Sequence, residues 1–235
     1  MPAPSLFDQA YKALVMGASG CLGSAFVAAL QSDPLCTHVQ AVSRSQGGGF
    51  DLLDDESLKD QAARCAPAGP YQLIIDATGV LSIDGVGPEK SLASIEPDRL
   101  IRSFQINALG PVLALRHFSP LLASGPSIYA KLSARVGSIS DNKKGGWYGY
   151  RASKAALNML LQTAAIELQR KNPALRVALL QPGTVRSPLS QAFLSSASPT
   201  LEPAESVAGL LKALKGLTPK PGAHYVDYKG ETLAF

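Results

Sequence analysis

The chain has 235 residues, of which 46% are hydrophobic and 17% are charged, and this balance excludes a disordered or fibrous protein. The formal net charge is only +4 and the longest basic run is Lys143-Lys144, so we expect no nucleic-acid-binding surface. The three cysteines (Cys21, Cys36 and Cys65) lack metal-ligand and redox-pair spacings, and no segment has the length and apolarity of a membrane span. We therefore expect a reduced, cytoplasmic protein without a metal, folded as one domain over residues 1–235.

Short apolar runs alternate with helical segments along the whole chain. The apolar runs predict strands at residues 12–16, 39–43, 71–77, 127–132, 175–180 and 223–226. Helices are predicted at 22–31, 54–65, 97–122, 149–171 and 202–217, the third being either one helix or two that join near Gly110-Pro111. Strands that are apolar throughout are typical of a parallel sheet with helices on both faces. We predict an α/β fold, a single Rossmann-type doubly wound domain whose parallel sheet has about seven strands.

A cluster of glycines follows the first predicted strand and precedes the first helix, in the order Gly17-Ala18-Ser19-Gly20-Cys21-Leu22-Gly23. Glycines let the backbone turn sharply and approach a pyrophosphate, and the helix N-terminus behind them offers unpaired N–H groups. This position in an alternating chain favours a dinucleotide-binding loop over a turn that serves packing alone. The predicted cofactor contacts in it are Gly17, Ser19, Gly20, Cys21, Leu22 and Gly23.

The second predicted strand ends in Ser43-Arg44, where the choice between the two nicotinamide cofactors is normally made. An acidic residue there would bind a free ribose 2′-hydroxyl, whereas a guanidinium suits a 2′-phosphate. We therefore predict NADP(H) in preference to NAD(H), with Ser43 and Arg44 at the cofactor. The alternative is that Arg44 is an ordinary solvated loop charge.

Tyr150 and Lys154 are four residues apart inside a predicted helix, so they lie on one face of it. An ammonium beside a phenol favours the phenolate and lowers the pKa of the tyrosine. The pair therefore predicts a tyrosine that exchanges a proton with a carbonyl or alcohol oxygen. The same spacing is common on solvated helix faces, so the prediction depends on the cofactor loop.

With these motifs in order, the chain resembles the short-chain dehydrogenase/reductase family along nearly its whole length. The matching segments are the loop from Gly17 to Gly23, Asp51-Leu52, Asp76-Ala77-Thr78-Gly79, Asn107, Ser133 to Asn142, Tyr150 to Lys154 and Pro182-Gly183-Thr184-Val185. The resemblance implies that Asp51 and Leu52 lie near the adenine, that Ala77, Thr78 and Gly79 line the cofactor site, and that Pro182, Gly183 and Val185 meet the nicotinamide. It further implies that Asn107 supports a water linked to Lys154. The stretch from Ser133 onward is similar to the C-factor and Sniffer-type carbonyl reductase branch.

Three residues depart from the family pattern. Cys21 stands where the loop usually has its middle glycine, and Asp76 stands where asparagine is usual. The usual catalytic serine lies three residues before Gly137, where this chain has Ala134. Either Ser133 or Ser138 could supply the hydroxyl, and counting along the chain does not decide between them.

The expected function is carbonyl–alcohol interconversion by hydride transfer, with a small-molecule substrate and no nucleic-acid or membrane partner. A cofactor-binding signalling or sensor protein with little turnover is the alternative, because Cys21 and Ala134 depart from the family and the C-factor branch is named for signalling. Residues 80–97 and 186–200 are the expected substrate-specific segments, the second read either as a lid or as a packed surface helix. A homodimer or homotetramer is expected through the helices at 97–122 and 149–171.

Overall fold

Six strands form one parallel sheet in the order β2-β1-β3-β4-β5-β6. The strands are β1 (Tyr11–Met16), β2 (Cys36–Val42), β3 (Leu73–Asp76), β4 (Ser127–Leu132), β5 (Leu175–Gln181) and β6 (His224–Asp227). The computed structural model describes residues 5–44, 49–187 and 200–235. Within these ranges, each strand corresponds to one of the six predicted apolar runs, in keeping with the expected sheet of about seven strands.

The described residues form six α-helices, all of them between strands. They are α1 (Cys21–Gln31), α2 (Asp55–Cys65), α3 (Pro97–Phe104), α4 (Gly110–Phe118), α5 (Tyr148–Lys171) and α6 (Pro203–Gly216). One hydrophobic core unites α1 and α6 with one face of the sheet, and a second core unites α2, α4 and α5 with the other. The predicted doubly wound architecture is therefore confirmed.

Strand β1 shows why the central strands are apolar throughout. Leu14 and Met16 pack in the core beside α5, whereas Ala13 and Val15 pack in the core beside α1. Successive side chains point to opposite faces of a strand, and here both faces are covered. An uninterrupted apolar run is the sequence pattern that this burial requires.

The predicted long helix at 97–122 is α3 and α4 joined by one π-helical turn, Gln105–Leu109. Pro97 occupies the first turn of α3, where its missing N–H costs no hydrogen bond. The single wide turn contains Asn107 and directs it toward α5. A π-turn inside a helix often marks a functional position.

The strand order reverses at the centre of the sheet, between the neighbouring strands β1 and β3. Ligands of open α/β sheets bind beyond the carboxyl ends of the strands at such a reversal. The segments that leave β1, β3, β4 and β5 there begin at Gly17, Ala77, Ser133 and Pro182. Among the described helices, none combines the length and apolarity that a membrane crossing requires.

Candidate active site

The loop between β1 and α1 depends on two of its glycines. Gly17 has φ +75°, a conformation that side chains disfavour, and a Cβ on Gly23 would lie 2.0 Å from the carbonyl oxygen of Gly17. Cys21 is the first residue of α1, whose N-terminal Gly20 gives no side-chain cap to the first-turn N–H groups. Those N–H groups are therefore available to an anion. Cys21 does not break the loop, because the close approach falls at Gly23.

A first cavity of about 230 Å³ lies beside this loop. Its lining includes most of the residues predicted for the adenosine end and adds Phe50 and Arg102: Gly17, Ser19, Gly20, Arg44, Phe50, Asp51, Leu52, Ala77, Thr78, Gly79 and Arg102. Arg44 is exposed and Ser43 is fully buried outside the lining, so only the arginine side chain of this predicted pair reaches the cavity. Arg102 lies on α3, far from the glycine loop in sequence, and no motif indicated it.

A second cavity of about 570 Å³ continues from the first. It is lined by Ser19, Gly20, Cys21, Leu22, Gly23, Ala77, Thr78, Gly79, Leu132, Ser133, Tyr150, Lys154, Pro182 and Ser187, among others. The structure thus brings the predicted Tyr150–Lys154 pair to the glycine loop, although more than a hundred residues separate them in sequence. The arrangement places a phenol, an ammonium and free helix N–H groups around one space.

Lys154 is held at the end of β4. Its Nζ donates to the carbonyl oxygen of Leu132 at 3.2 Å and lies 5.7 Å from the centroid of the Tyr150 ring. Burial, and secondarily the nearby Lys131 ammonium, lower the pKa of Lys154 to about 7, against an opposing effect of Asp76. The side chain is only 3% exposed, so its charge has little access to solvent.

Tyr150 lies in the first turn of α5, is half-buried and lines the second cavity. Its ring makes an edge contact with the ring of Trp147, with 6.1 Å between the centroids. Burial raises the pKa of Tyr150, and Tyr225 raises it further. The net shift of this pKa is upward, so a lowering by Lys154 is not seen in this structure and stays a prediction.

Asn107 lies beneath the cavity and is 1% exposed. Its Oδ1 accepts the N–H of Val80 at 2.9 Å, and its Nδ2 donates to Ser103 and Ser153, each at 3.4 Å. A Cβ on Gly79 would lie 3.2 Å from Asn107 Oδ1 and 3.5 Å from Lys154 Nζ. Asn107 therefore fixes the segment after β3 against α5, beside the lysine that the family resemblance assigns to it.

The two candidate serines have different surroundings. Ser133 lines the second and third cavities, and its Oγ donates to Asn158 Oδ1 at 2.6 Å. Ser138 is 2% exposed and lines none of the three cavities; its Oγ contacts Ser140 Oγ at 3.3 Å and accepts the Asp141 N–H at 3.2 Å. Of the two hydroxyls, only that of Ser133 is beside Tyr150.

A buried ion pair lies directly under the site, where Asp76 of β3 is in register with Lys131 of β4. Lys131 Nζ contacts Asp76 Oδ1 at 2.9 Å, and both side chains are 0% exposed. The same ammonium donates to Thr78 O at 2.6 Å and to Thr78 Oγ1 at 3.0 Å. Asp76 Oδ2 has no hydrogen-bond partner among the described residues. The pair thus ties down the Thr78–Gly79 segment that lines the cofactor cavities.

A third cavity of about 580 Å³ adjoins the second, and Tyr150 lines both of them. Six predicted residues line the third cavity, namely Leu22, Ser133, Tyr150, Pro182, Gly183 and Val185. Residues that the motifs did not indicate complete the lining, chiefly Leu81, Ala134, Arg135, Val136, Lys144, Trp147, Arg151, Gln181 and Thr184.

The substrate segment expected at 186–200 is described only at its two ends, because residues 188–199 lie outside the described residues. At the first end, Arg186 Nε pairs with Glu202 Oε1 at 3.0 Å, and Cys21 Sγ contacts the Arg186 carbonyl oxygen at 3.7 Å. Over the described ranges, no group of three or more His, Cys, Asp or Glu side chains is arranged to hold a metal.

Comparison with known proteins gives a consistent result. The family model for short chain dehydrogenase matches residues 11–197. A 1-hydroxy-2-glutathionyl-2-methyl-3-butene dehydrogenase from Rhodococcus sp. strain AD45 is 33% identical over 186 residues, which are 79% of this chain and 78% of that protein. The C-signal protein of Myxococcus xanthus is 33% identical over 163 residues, 69% of this chain and 91% of that protein.

Two solved structures have the same fold. The NADPH-bound carbonyl reductase from chicken fatty liver superposes with a TM-score of 0.83 at 22% identity, over 97% of this chain and 95% of that one. Carbonyl reductase Sniffer of D. melanogaster superposes with a TM-score of 0.82 at 21% identity, over 97% of this chain and 100% of that one. The predicted relationship to C-factor proteins is confirmed by the likeness to the C-signal protein, and the Sniffer structure shares the fold.

Proposed function

The chain belongs to the short-chain dehydrogenase family of oxidoreductases, and we propose that it interconverts a carbonyl and an alcohol with NADP(H) as its cofactor. The observation that carries the proposal is the meeting of Tyr150 and Lys154 with the glycine loop around one cavity. More than a hundred residues separate the loop from the pair in the sequence, and a fold without this chemistry would have no need to bring them together.

The residues present fit a nicotinamide dinucleotide. Gly17 and Gly23 leave no room for side chains where the loop turns, and the free N–H groups of α1 face the cavity. We propose that Arg44 binds the 2′-phosphate, since it is exposed and lines the first cavity. Asp51 and Leu52 would lie by the adenine, and the Pro182–Gly183 segment by the nicotinamide. Bound there, the cofactor would supply or accept a hydride.

Tyr150 would hold and move the proton. Its hydroxyl is protonated near neutral pH and can donate to a carbonyl oxygen, while burial raises its pKa and so makes it a weaker acid than a solvated tyrosine. Lys154, whose ammonium is close to the ring, would stabilise the phenolate that remains after the transfer. Asn107 would position this pair through Gly79 and Val80.

Ser133 is the hydroxyl that we assign to the substrate oxygen, because it lines the cavity wall next to Tyr150. Its single proton is directed at Asn158 Oδ1, so it must turn from that bond before it can donate to a substrate.

The proposal is tested with Tyr150→Phe, assayed by NADPH absorbance against a panel of ketones, aldehydes and quinones. We expect turnover to fall by at least about 100-fold, the contribution typical of general acid catalysis, with NADPH binding retained. Tyr148→Phe is the matched control, since Tyr148 begins the same helix and lines none of the three cavities. Equal turnover in Tyr150→Phe and the unsubstituted protein would refute the role of the phenol.

A signalling or sensor protein of the same fold is the second candidate. Ala134 favours it, because the usual hydroxyl is missing, and the likeness to the C-signal protein is consistent with it. The same panel decides between the two: NADPH binding without oxidation by any member of the panel would favour the sensor. Tyr150, Lys154 and Asn107 are the residues that a pure binder would have no reason to keep.

We also propose a homodimer or homotetramer in a reducing, cytoplasmic setting. Four large apolar side chains on α3, the π-turn and α5 are exposed by 43–66%, namely Ile101, Leu109, Met159 and Ile166. All three cysteines are free thiols. Light scattering of the purified protein would test the assembly, and a monomer at micromolar concentration would contradict it.

A further inference from the structure

We propose that the third cavity, which Tyr150 lines, selects carbonyl substrates that carry a carboxylate or another anionic group. The inference rests on the proposed function, which it narrows to a substrate class. Its basis is the charge of the third cavity, whose lining contains Arg135, Lys144 and Arg151 and, among the described residues, no Asp or Glu.

Two of these three cations have no carboxylate partner. Arg151 Nε donates to the Gly146 carbonyl oxygen at 3.0 Å and its Nη1 contacts the Val136 carbonyl oxygen at 3.5 Å, which fixes the guanidinium without cancelling its charge. Lys144 is exposed, and no ion pair joins either residue to a carboxylate in the described part of the chain. Two uncompensated positive charges next to one cleft attract an anion.

Arg135 differs from them because it is already paired. Its Nη2 lies 3.2 Å from Asp227 Oδ2, and that carboxylate is almost completely buried behind it. Arg135 therefore contributes hydrogen-bond donors to the cavity and little net charge. The anion-binding charge is assigned to Lys144 and Arg151.

The position of the cations assigns the anion to the substrate. Neither Lys144 nor Arg151 lines the first or the second cavity, which the glycine loop and Arg44 border. They share the third cavity with Tyr150 and Ser133, the residues assigned to the reacting oxygen. An anion bound by them would thus belong to the molecule whose carbonyl meets Tyr150.

The rest of the lining indicates the body of that molecule. Trp147, Leu81, Val136 and Val185 give the cavity apolar walls. The segment 188–199, whose structure lies outside the described residues, contains no charged residue in its sequence and so adds no carboxylate near the site. An aromatic or aliphatic carbonyl compound with one acid group matches this combination.

The test compares two substrates that differ only in charge, para-formylbenzoate and its uncharged methyl ester. We expect kcat/KM with NADPH to be roughly tenfold or more higher for the acid, the effect of one charge-assisted hydrogen bond. Lys144→Gln and Arg151→Gln should each remove most of this preference, because the KM for the acid should rise several-fold more than the KM for the ester. Lys143→Gln is the control, since Lys143 is the exposed residue before Lys144 and lines none of the three cavities.

Each outcome decides the inference. If the ester is turned over as well as the acid, the anion-selective cavity is overturned and the proposed function stays intact. A preference for the acid that persists in Lys144→Gln has the same consequence. If neither aldehyde is turned over, calorimetric titration of para-(hydroxymethyl)benzoate and its ester into protein saturated with NADP⁺ separates the two proposals. Tighter binding of the acid, lost in Lys144→Gln, would support an anion-selective cavity although the proposed reaction failed, and equal binding would overturn it.

Discussion

Replacing Lys131 by methionine would leave the Asp76 carboxylate buried at 0% exposure without its charged partner. The carboxylate would keep the Thr78 N–H at 2.9 Å and the Thr78 hydroxyl at 2.5 Å, but these are neutral donors. Removing one partner of a buried ion pair typically costs about 3–5 kcal/mol, because an uncompensated charge stays in the interior. For a chain of this length, we expect the melting temperature to fall on the order of 10 °C.

Thermal and urea unfolding of three variants would measure this cost. The double variant Asp76→Asn/Lys131→Met should recover at least half of the loss, because an uncharged pair carries little desolvation penalty and contacting residues are strongly coupled. Lys59→Met is the control, since Lys59 forms an ion pair with Glu56 that is 61% and 68% exposed and should change stability by less than about 1 kcal/mol.

The double variant supplies the refutation. If Asp76→Asn/Lys131→Met unfolds as easily as Lys131→Met alone, the loss does not come from an unpaired buried charge, and the buried-charge reasoning is refuted.

Three further predictions concern the cofactor site. In fluorescence titrations, Arg44→Ala should weaken the binding of NADPH about tenfold or more and change the binding of NADH little. If Arg102→Ala shows this selective loss and Arg44→Ala does not, the phosphate contact belongs to α3. Gly23→Ala should abolish cofactor binding and lower the melting temperature, because its Cβ would lie 2.0 Å from a carbonyl oxygen, whereas Gly216→Ala has nothing within 4 Å and should be neutral. Lys154→Met should stabilise the cofactor-free protein at pH 7 and below, since burial lowers the folded pKa to about 7 from a higher unfolded value. That gain should shrink as pH rises from about 7 toward 10, and a gain that does not vary with pH would contradict it.

The strand positions were predictable because burial on both faces leaves a distinct mark on the sequence. The runs around Val15, Ile75 and Leu179 have almost no alternative to a central strand, and the residues that follow them reach one edge of the sheet as parallel strands require. Boundaries shifted where a polar residue takes part in the sheet, as Asp227 does at the end of β6.

The basic lining of the third cavity was not predictable in the same way. Arg151 and Lys144 read as solvated charges because their partners are backbone carbonyl groups or solvent, and neither leaves a pattern in the sequence. Lys131 does leave a pattern in the sequence, because it is a single charge in a central apolar strand and a buried charge needs a partner. Asp76, at the end of the neighbouring strand, is that partner. Reading adjacent strands together, and not one at a time, would have found that pair.

Counting residues along the chain does not distinguish Ser133 from Ser138, whereas the geometry of β4 does. Along a strand, Tyr129, Lys131 and Ser133 share one face, and the first two lie on the side that α5 covers. Ser133 continues that face just beyond β4, where its N–H still pairs with the Leu180 carbonyl oxygen and its Oγ meets Asn158 of α5. A hydroxyl on this face is next to the helix that presents Tyr150, but it is also held by that helix. The same strand parity that brings Ser133 to the site therefore also places its hydroxyl against Asn158, so Ser133 must release that bond before it can donate to a substrate.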